Sequence, residues 1–200
     1  MTVLTAGLTR YLLIAALLLL AGAGAYALGF WLRPAPELSG TAFDQPVLVS
    51  GLELVDHSGA TVDLAGDFNG QLTLVFFGFT RCPDVCPFTM ARLGRIYQDL
   101  GAPADLNVVM LTVDPEHDTP AVLGAYVKSF HPEFIGLTGT TSQVATAARA
   151  FFIGYAGSGG AVVHSDAVAV LDRQGRLRYV YGQDAVPNLA ADLPRLLRMP

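Results

Sequence analysis

The chain predicts an α/β domain carried behind an N-terminal membrane helix. Three observations support this. Residues 11–32 contain no charged side chain. Two largely apolar runs, 72–77 and 106–113, have the character of strands buried on both faces. Between and after them, apolar residues recur at helical spacing and are punctuated by Gly and Pro.

Two hundred residues suit one domain and an appendage. Hydrophobic residues make up 52% and charged residues 14%, with the apolar excess at the N-terminus. Twelve Lys and Arg stand against 17 Asp and Glu, a net charge of −5. The arginines are scattered and form no basic run, which excludes a nucleic-acid footprint.

The 22 residues from Tyr11 to Leu32 would span about 33 Å as a helix, enough for a hydrocarbon core of roughly 30 Å. Arg10 precedes the run, and Arg33, Pro34 and Pro36 end it; Tyr11, Tyr26 and Trp31 supply interface anchors. A cleaved signal peptide with Ala25-Tyr26-Ala27 as its site is the competing reading, but the apolar run is longer than a signal core and continues past that site. The expectation is a single-pass anchor over residues 1–33 in a cell inner membrane, a linker over 34–45, and a domain over 46–200 on the exported, periplasmic side. Export means an oxidising compartment, where a thiol pair needs a reductant to stay reduced.

The domain begins with an alternating stretch at 48–55, a turn at His57-Ser58-Gly59 and a short strand at 61–64, which together read as a β-hairpin. A loop at 66–70 leads into the strand at 72–77. After Cys86, Pro87 suits a first helical turn, and Met90, Leu93, Ile96, Tyr97 and Leu100 repeat at helical spacing until Gly101. The strand at 106–113 gives way to a polar turn. Thr119 then serves as N-cap and Pro120 as a first-turn residue for a helix to about Phe130. A short strand at 134–137 follows. Thr141 or Ser142 caps a helix to about Phe151, with Val144, Ala147, Ala148 and Phe151 on one face. A Gly-rich loop at 154–160 precedes His164. Strands at 167–171 and 177–181 flank the hairpin turn Asp172-Arg173-Gln174-Gly175, and a terminal helix runs from Val186 to about Arg198. This order describes a thioredoxin-like sandwich with an N-terminal β-hairpin extension.

Both cysteines of the chain lie in Phe76-Phe77-Gly78-Phe79-Thr80-Arg81-Cys82-Pro83-Asp84-Val85-Cys86-Pro87, just past the carboxyl end of the first central strand, where open α/β sheets place their sites. Two thiols so spaced can close to a disulfide or face one metal ion. Soft thiolate selects Cu(I) or Zn, and imidazole suits either. A structural zinc site closes with four protein ligands, and the chain has no third cysteine. Two Cys and one His with an open position would suit copper in transit; a catalytic zinc with water as fourth ligand has the same donor set. Arg81 would favour the thiolate at its neighbour.

Residues 77–80 and 82–87 resemble the signature of the Sco/SenC family. So do Leu111-Thr112-Val113-Asp114-Pro115-Glu116-His117-Asp118-Thr119-Pro120, and His164-Ser165 before a strand and an Asp-x-x-Gly turn. The three motifs occur in the family's order over most of residues 45–200, and the anchor fits too. The resemblance implies a thioredoxin-like copper chaperone for cytochrome c oxidase assembly. It implies ligation of Cu(I), Cu(II) or both by Cys82, Cys86 and His164, with Cys82 and Cys86 also able to form a redox disulfide. Implied partners are the copper-bearing oxidase subunit, other copper carriers and a thioredoxin-like reductant. The chain departs from the family at Arg81, where many members have His, and at His117, where Arg is common. Neither position is a ligand in the family pattern; a charge-dependent partner contact is what they affect. Arg81, Asp114 and Asp118 are therefore candidates for supporting the ligands or docking a partner.

Blander readings compete. The cysteines could be a structural disulfide, although closing so short a loop stabilises little. Taken alone, His164 would be an ordinary core or surface histidine, and Asp114 and Asp118 would simply order their turn. Phe76, Phe77 and Phe79 suit the core, with Phe79 also placed to shield a metal. The main functional rival is thiol–disulfide exchange that keeps oxidase-subunit cysteines reduced. Such enzymes use C-x-x-C. Here three residues intervene, and no proline lies between Pro132 and Pro187 to face the motif. A thiol peroxidase and a non-catalytic interaction domain are more distant rivals.

Overall fold

The computed structural model describes residues 2–32, 37–153 and 167–199. The chain divides into two compact units between Glu37 and Leu38. The first contains α1 (Thr2–Trp31), a 30-residue helix about 45 Å long at the α-helical rise. Among the described residues, no helix is long and apolar enough to cross a membrane. The expected helix is present, then, but its role as a membrane span is not shown.

In the second unit the elements are β1 (Thr41–Leu48), β2 (Glu53–Asp56), β3 (Thr61–Asp63), β4 (Leu72–Gly78), α2 (Val85–Asp99), β5 (Leu106–Thr112), α3 (Pro120–Lys128), β6 (Ile135–Thr138), α4 (Thr141–Ala150), β7 (Val168–Leu171) and β8 (Arg176–Tyr181). A 3₁₀ turn (Val186–Asn188) then leads into α5 (Leu189–Leu196). All eight strands form one sheet in the order β1-β8-β7-β4-β5-β6-β2-β3. The central strands β4, β5 and β6 run parallel. Their connections pass through α2 and α3, because parallel neighbours need a long crossover. The other pairings are antiparallel.

Every residue of β4 is buried, as its unbroken apolar run predicts. Its side chains alternate between two cores. Leu72, Leu74 and Phe76 join Val108 and Met110 under residues of α2, α3 and α5. Val75 and Phe77 join Val109 and Leu111 against Val144, Ala147, Ala148 and Phe151 of the α4 region.

Three expectations change. Residues 41–45, linker by composition, are the first part of β1, which pairs with β8 from Thr41↔Val180 to Leu48↔Arg176 with a register shift between. A partner strand far along the chain overrides the local Pro and Gly content. The hairpin is consequently shorter: Leu48 belongs to β1, Gly51 turns the chain at φ 69°, and the hairpin proper is β2 with β3. The α4 cap is Thr140, one residue earlier than expected. It forms a capping box in which its hydroxyl accepts from Gln143 N while the Gln143 side chain accepts from Thr140 N. The Gly-rich loop at 154–160 and His164 lie outside the described residues.

Candidate metal centre

Gly78 pairs with Thr112 in the parallel register, so β4 and β5 end side by side and the loops after them leave the same edge of the sheet. The first loop carries Thr80, Arg81 and Cys82; the second carries Asp114, His117 and Asp118.

Asp118 joins the two loops. It is fully buried, and its carboxylate accepts from Thr80 N (3.0 Å), Thr80 Oγ1 (2.5 Å) and Thr112 Oγ1 (2.6 Å). A buried carboxylate needs such donors. Here they come from the residue two before Cys82 and from the last residue of β5. Asp114 orders its own turn: its carbonyl accepts from His117 N and Asp118 N, and its N–H donates to Thr112 Oγ1.

Around Asp114 lies a more exposed charged cluster. Arg81 Nη2 donates to Asp114 Oδ2 at 2.7 Å, and His117 Nδ1 lies 2.8 Å from both Asp114 Oδ1 and Arg81 Nη2. That nitrogen can accept from the guanidinium or donate to the carboxylate, according to its tautomer. Burial pushes the Asp114 carboxyl up, but the His117 and Arg81 hydrogen bonds and charges outweigh it and hold the group below its ordinary range. Arg81 therefore points to Asp114; the sequence expected it to act on the neighbouring thiol.

Cys82 is half-buried in the loop, and Cys86 is buried in the first turn of α2; the two are not disulfide-bonded. Asp84, the N-cap residue, makes no side-chain capping bond. The Cys82 sulfur takes that place, with Cys86 N donating to its Sγ at 3.5 Å. Burial pushes the Cys82 thiol up; the Asp84 backbone N–H, the Cys86 side chain and the Cys86 and Val85 backbone N–H groups outweigh it and bring the thiol below its ordinary range. The N-terminus of α2 thus favours negative charge on this sulfur.

Gly78 lies within the motif, but the sequence reading assigned it no role. A Cβ there would lie 2.7 Å from the Phe76 ring, 3.1 Å from Cys86 Sγ and 3.2 Å from Met110 Cε. Only a bare α-carbon lets the Cys86 sulfur pack against the end of β4. The signal was a glycine closing an otherwise apolar strand.

The structure thus brings together Cys82 and Cys86, and beside them Thr80, Asp118, Asp114, Arg81 and His117. Phe79 and Cys82 pack at the margin of the core that contains Cys86 and Met90. The donor chemistry suits a soft ion: two thiol sulfurs four residues apart, one of them fed by backbone N–H groups. No group of three His, Cys, Asp or Glu placed to hold a metal occurs among the described residues.

Residues 42–198 match the family described as SCO1/SenC. The chain is 35% identical over 182 residues to the SCO2-like protein of Rickettsia felis, covering 85% of this chain and 88% of that protein. It is 41% identical over 141 residues to the mouse mitochondrial protein SCO2 homolog, of whose length it spans about half (54%), with 65% of this chain covered. Among solved structures, apo Sco1 from Thermus thermophilus superposes with a TM-score of 0.70 at 36% identity, over 82% of this chain and all of that one. ScoI from Arabidopsis thaliana with copper bound gives 0.67 at 28%, over 80% and 98%. ScoI from Bradyrhizobium japonicum, also with copper bound, gives 0.63 at 31%, over 78% and 100%. These likenesses establish the thioredoxin-like mixed α/β fold expected from the element order. The match over residues 42–198 places the chain in the SCO1/SenC family.

Proposed function

We propose that this chain is a membrane-anchored copper chaperone. It would hold one copper ion through Cys82, Cys86 and His164 and deliver it to the copper centre of a respiratory cytochrome c oxidase. The observation that carries the reading is the dithiol turn at the carboxyl edge of the sheet, where the helix terminus favours charge on the Cys82 sulfur. Support comes from the two structural relatives described as copper-bound. His164 is assigned on the family motif. Two thiolates and an imidazole leave copper open to incoming ligands, so transfer proceeds by exchange at the imidazole first and at the thiolates after. Asp118 holds the Cys82 loop in place through Thr80. The exposed Arg81–Asp114–His117 cluster is the contact face for an oxidase subunit, another copper carrier or a reductant. The uncharged run of residues 11–32, of which 11–31 lie within a 30-residue helix, supports a single inner-membrane anchor with the domain in the periplasm.

A second reading, thiol–disulfide exchange on oxidase-subunit cysteines, is favoured by the same lowered Cys82 thiol. Titration of the reduced full chain with Cu(I), alongside Cys82→Ala, Cys86→Ala and His164→Ala, separates the two. The chaperone reading expects 1:1 binding that all three changes abolish or weaken by an order of magnitude or more. Binding indifferent to His164→Ala, together with rapid disulfide reductase turnover, would replace it with the second reading.

A further inference from the structure

At the end of the sheet opposite the dithiol turn, a cavity of about 90 Å³ lies between α5 and the strands β4, β7 and β8. One water needs only about 10–15 Å³ of such space, so a small organic group fits. Leu72 begins β4 and Gly78 ends it beside the dithiol loops, which separates the two places by on the order of 20 Å at the strand rise. Leu72, Val170, Leu196 and Met199 form the apolar wall of the cavity; Arg173, Arg176, Arg178 and Asp172 form its polar side. Two of the arginines are committed. Arg173 donates to Gly70 O (2.8 Å), Leu197 O (2.8 Å) and Asp105 Oδ2 (2.7 Å). Arg176 donates through Nε to Asp172 Oδ2 (2.9 Å) and through Nη2 to Gln174 Oε1 (2.8 Å). Arg178 differs. Its Nη1 lies 3.8 Å from Asp172 Oδ2, and its guanidinium makes no hydrogen bond among the described residues. The Asp172 carboxylate already accepts from Gln174 N, Arg176 N and Arg176 Nε.

A bulge puts Arg178 there. Val170 pairs with Tyr179 and the next residue of β7, Leu171, pairs with Leu177, so Arg178 is an extra residue opposite none. In a regular strand Leu177 and Tyr179 would share a face. Instead Leu177 lies in the core against α4, and Tyr179 packs on the core under α5. Bulges re-aim side chains in this way.

We propose that this cavity binds a small carboxylate with an apolar tail, the charged end on Arg178 and the tail against Leu72, Val170, Leu196 and Met199. The site is separate from the copper-handling reading and does not depend on it. The three guanidiniums, set against the carboxylates of Asp172 and Asp105, leave one positive charge, which a single carboxylate neutralises. A guanidinium presents paired N–H groups that match the two oxygens of a carboxylate. The apolar wall selects against inorganic phosphate, whose hydration it cannot replace. It selects against acetate too, which has little apolar surface to bury. A concave, largely apolar site with a few placed polar groups is how proteins hold small ligands.

The test titrates the full chain with hexanoate and follows its backbone amides by NMR. Saturable shifts should appear at Val170, Arg178 and Leu196. Acetate, inorganic phosphate and hexanol, which keeps the tail without the charge, should each bind at least about tenfold more weakly. Arg178→Gln removes the guanidinium from a partly exposed position and should weaken hexanoate about tenfold or more. Arg178→Lys keeps the charge without the fork and should fall between. Arg95→Gln, an equal loss of charge at an exposed position of α2, should leave hexanoate binding within about twofold. Amide spectra that match the wild type away from the cavity show that each variant is folded. Absence of saturable hexanoate binding overturns the proposal, and so does binding that Arg178→Gln leaves unchanged. Phosphate bound as tightly as hexanoate overturns the assignment of an apolar-tailed carboxylate.

Discussion

Asp118→Ala is the most informative single change in the loops that frame the dithiol. The carboxylate is fully buried and accepts three hydrogen bonds, from Thr80 N, Thr80 Oγ1 and Thr112 Oγ1. Bonds to a charged group are worth roughly 1.5–3 kcal/mol each. The sum overstates the loss, because removing the carboxylate also removes its desolvation cost and the two hydroxyls can rotate toward other acceptors. A net loss of about 2–4 kcal/mol is expected. For a unit of this size that corresponds to a fall in Tm of roughly 5–15 °C. The damage should concentrate in the Cys82 loop, since Thr80 is two residues upstream. Cu(I) affinity should accordingly fall about tenfold or more, as when an outer-shell partner is lost. Calorimetry and Cu(I) competition on the same preparations measure both effects. A Tm within about 3 °C of wild type with unchanged Cu(I) affinity would refute the idea that this carboxylate holds the two loops together. Asp118→Asn, which keeps one acceptor oxygen, should fall between.

Gly78→Ala should cost about 1–3 kcal/mol, because its methyl group meets the Phe76 ring and the Cys86 sulfur; an unchanged Tm in calorimetry would contradict that close approach. Iodoacetamide at neutral pH should label Cys82 before the fully buried Cys86. The midpoint of the Cys82 rate profile should lie below 9.0, and one at or above that value would count against the sulfur as the cap of α2. The folded Asp114 carboxyl titrates below its unfolded value of about 3.8, so the stability it contributes is present above that pH and lost as pH falls through the lower folded value. Asp114→Asn should flatten this part of a Tm-against-pH series taken from pH 2 to 6, and parallel curves for the two proteins would sink the assignment. Thr140→Ala should remove the capping box of α4 at about 1 kcal/mol, seen as a fall in Tm of about 2–4 °C.

Local chemistry determined a great deal. The apolar runs of β4 and β5, Pro120 behind the Thr119 cap, and the helical spacing from Met90 to Tyr97 each specify an element without reference to any other part of the chain. The cysteine spacing marked the site for the same reason: both sulfurs sit within one turn. What depended on distant partners was hidden. β1 exists because β8 pairs with it, against the Pro and Gly content of its own surroundings. Arg81 belongs to Asp114 because β4 and β5 end in register, which brings together loops 33 residues apart. Asp118 accepts from Thr80 for the same reason, and Tyr126 packs against the core that holds Cys86 only because α3 lies over it. Burial and pairing across the sheet are sums over residues remote in sequence. A motif therefore names which groups do the chemistry, and only the folded chain decides which neighbours set their charge.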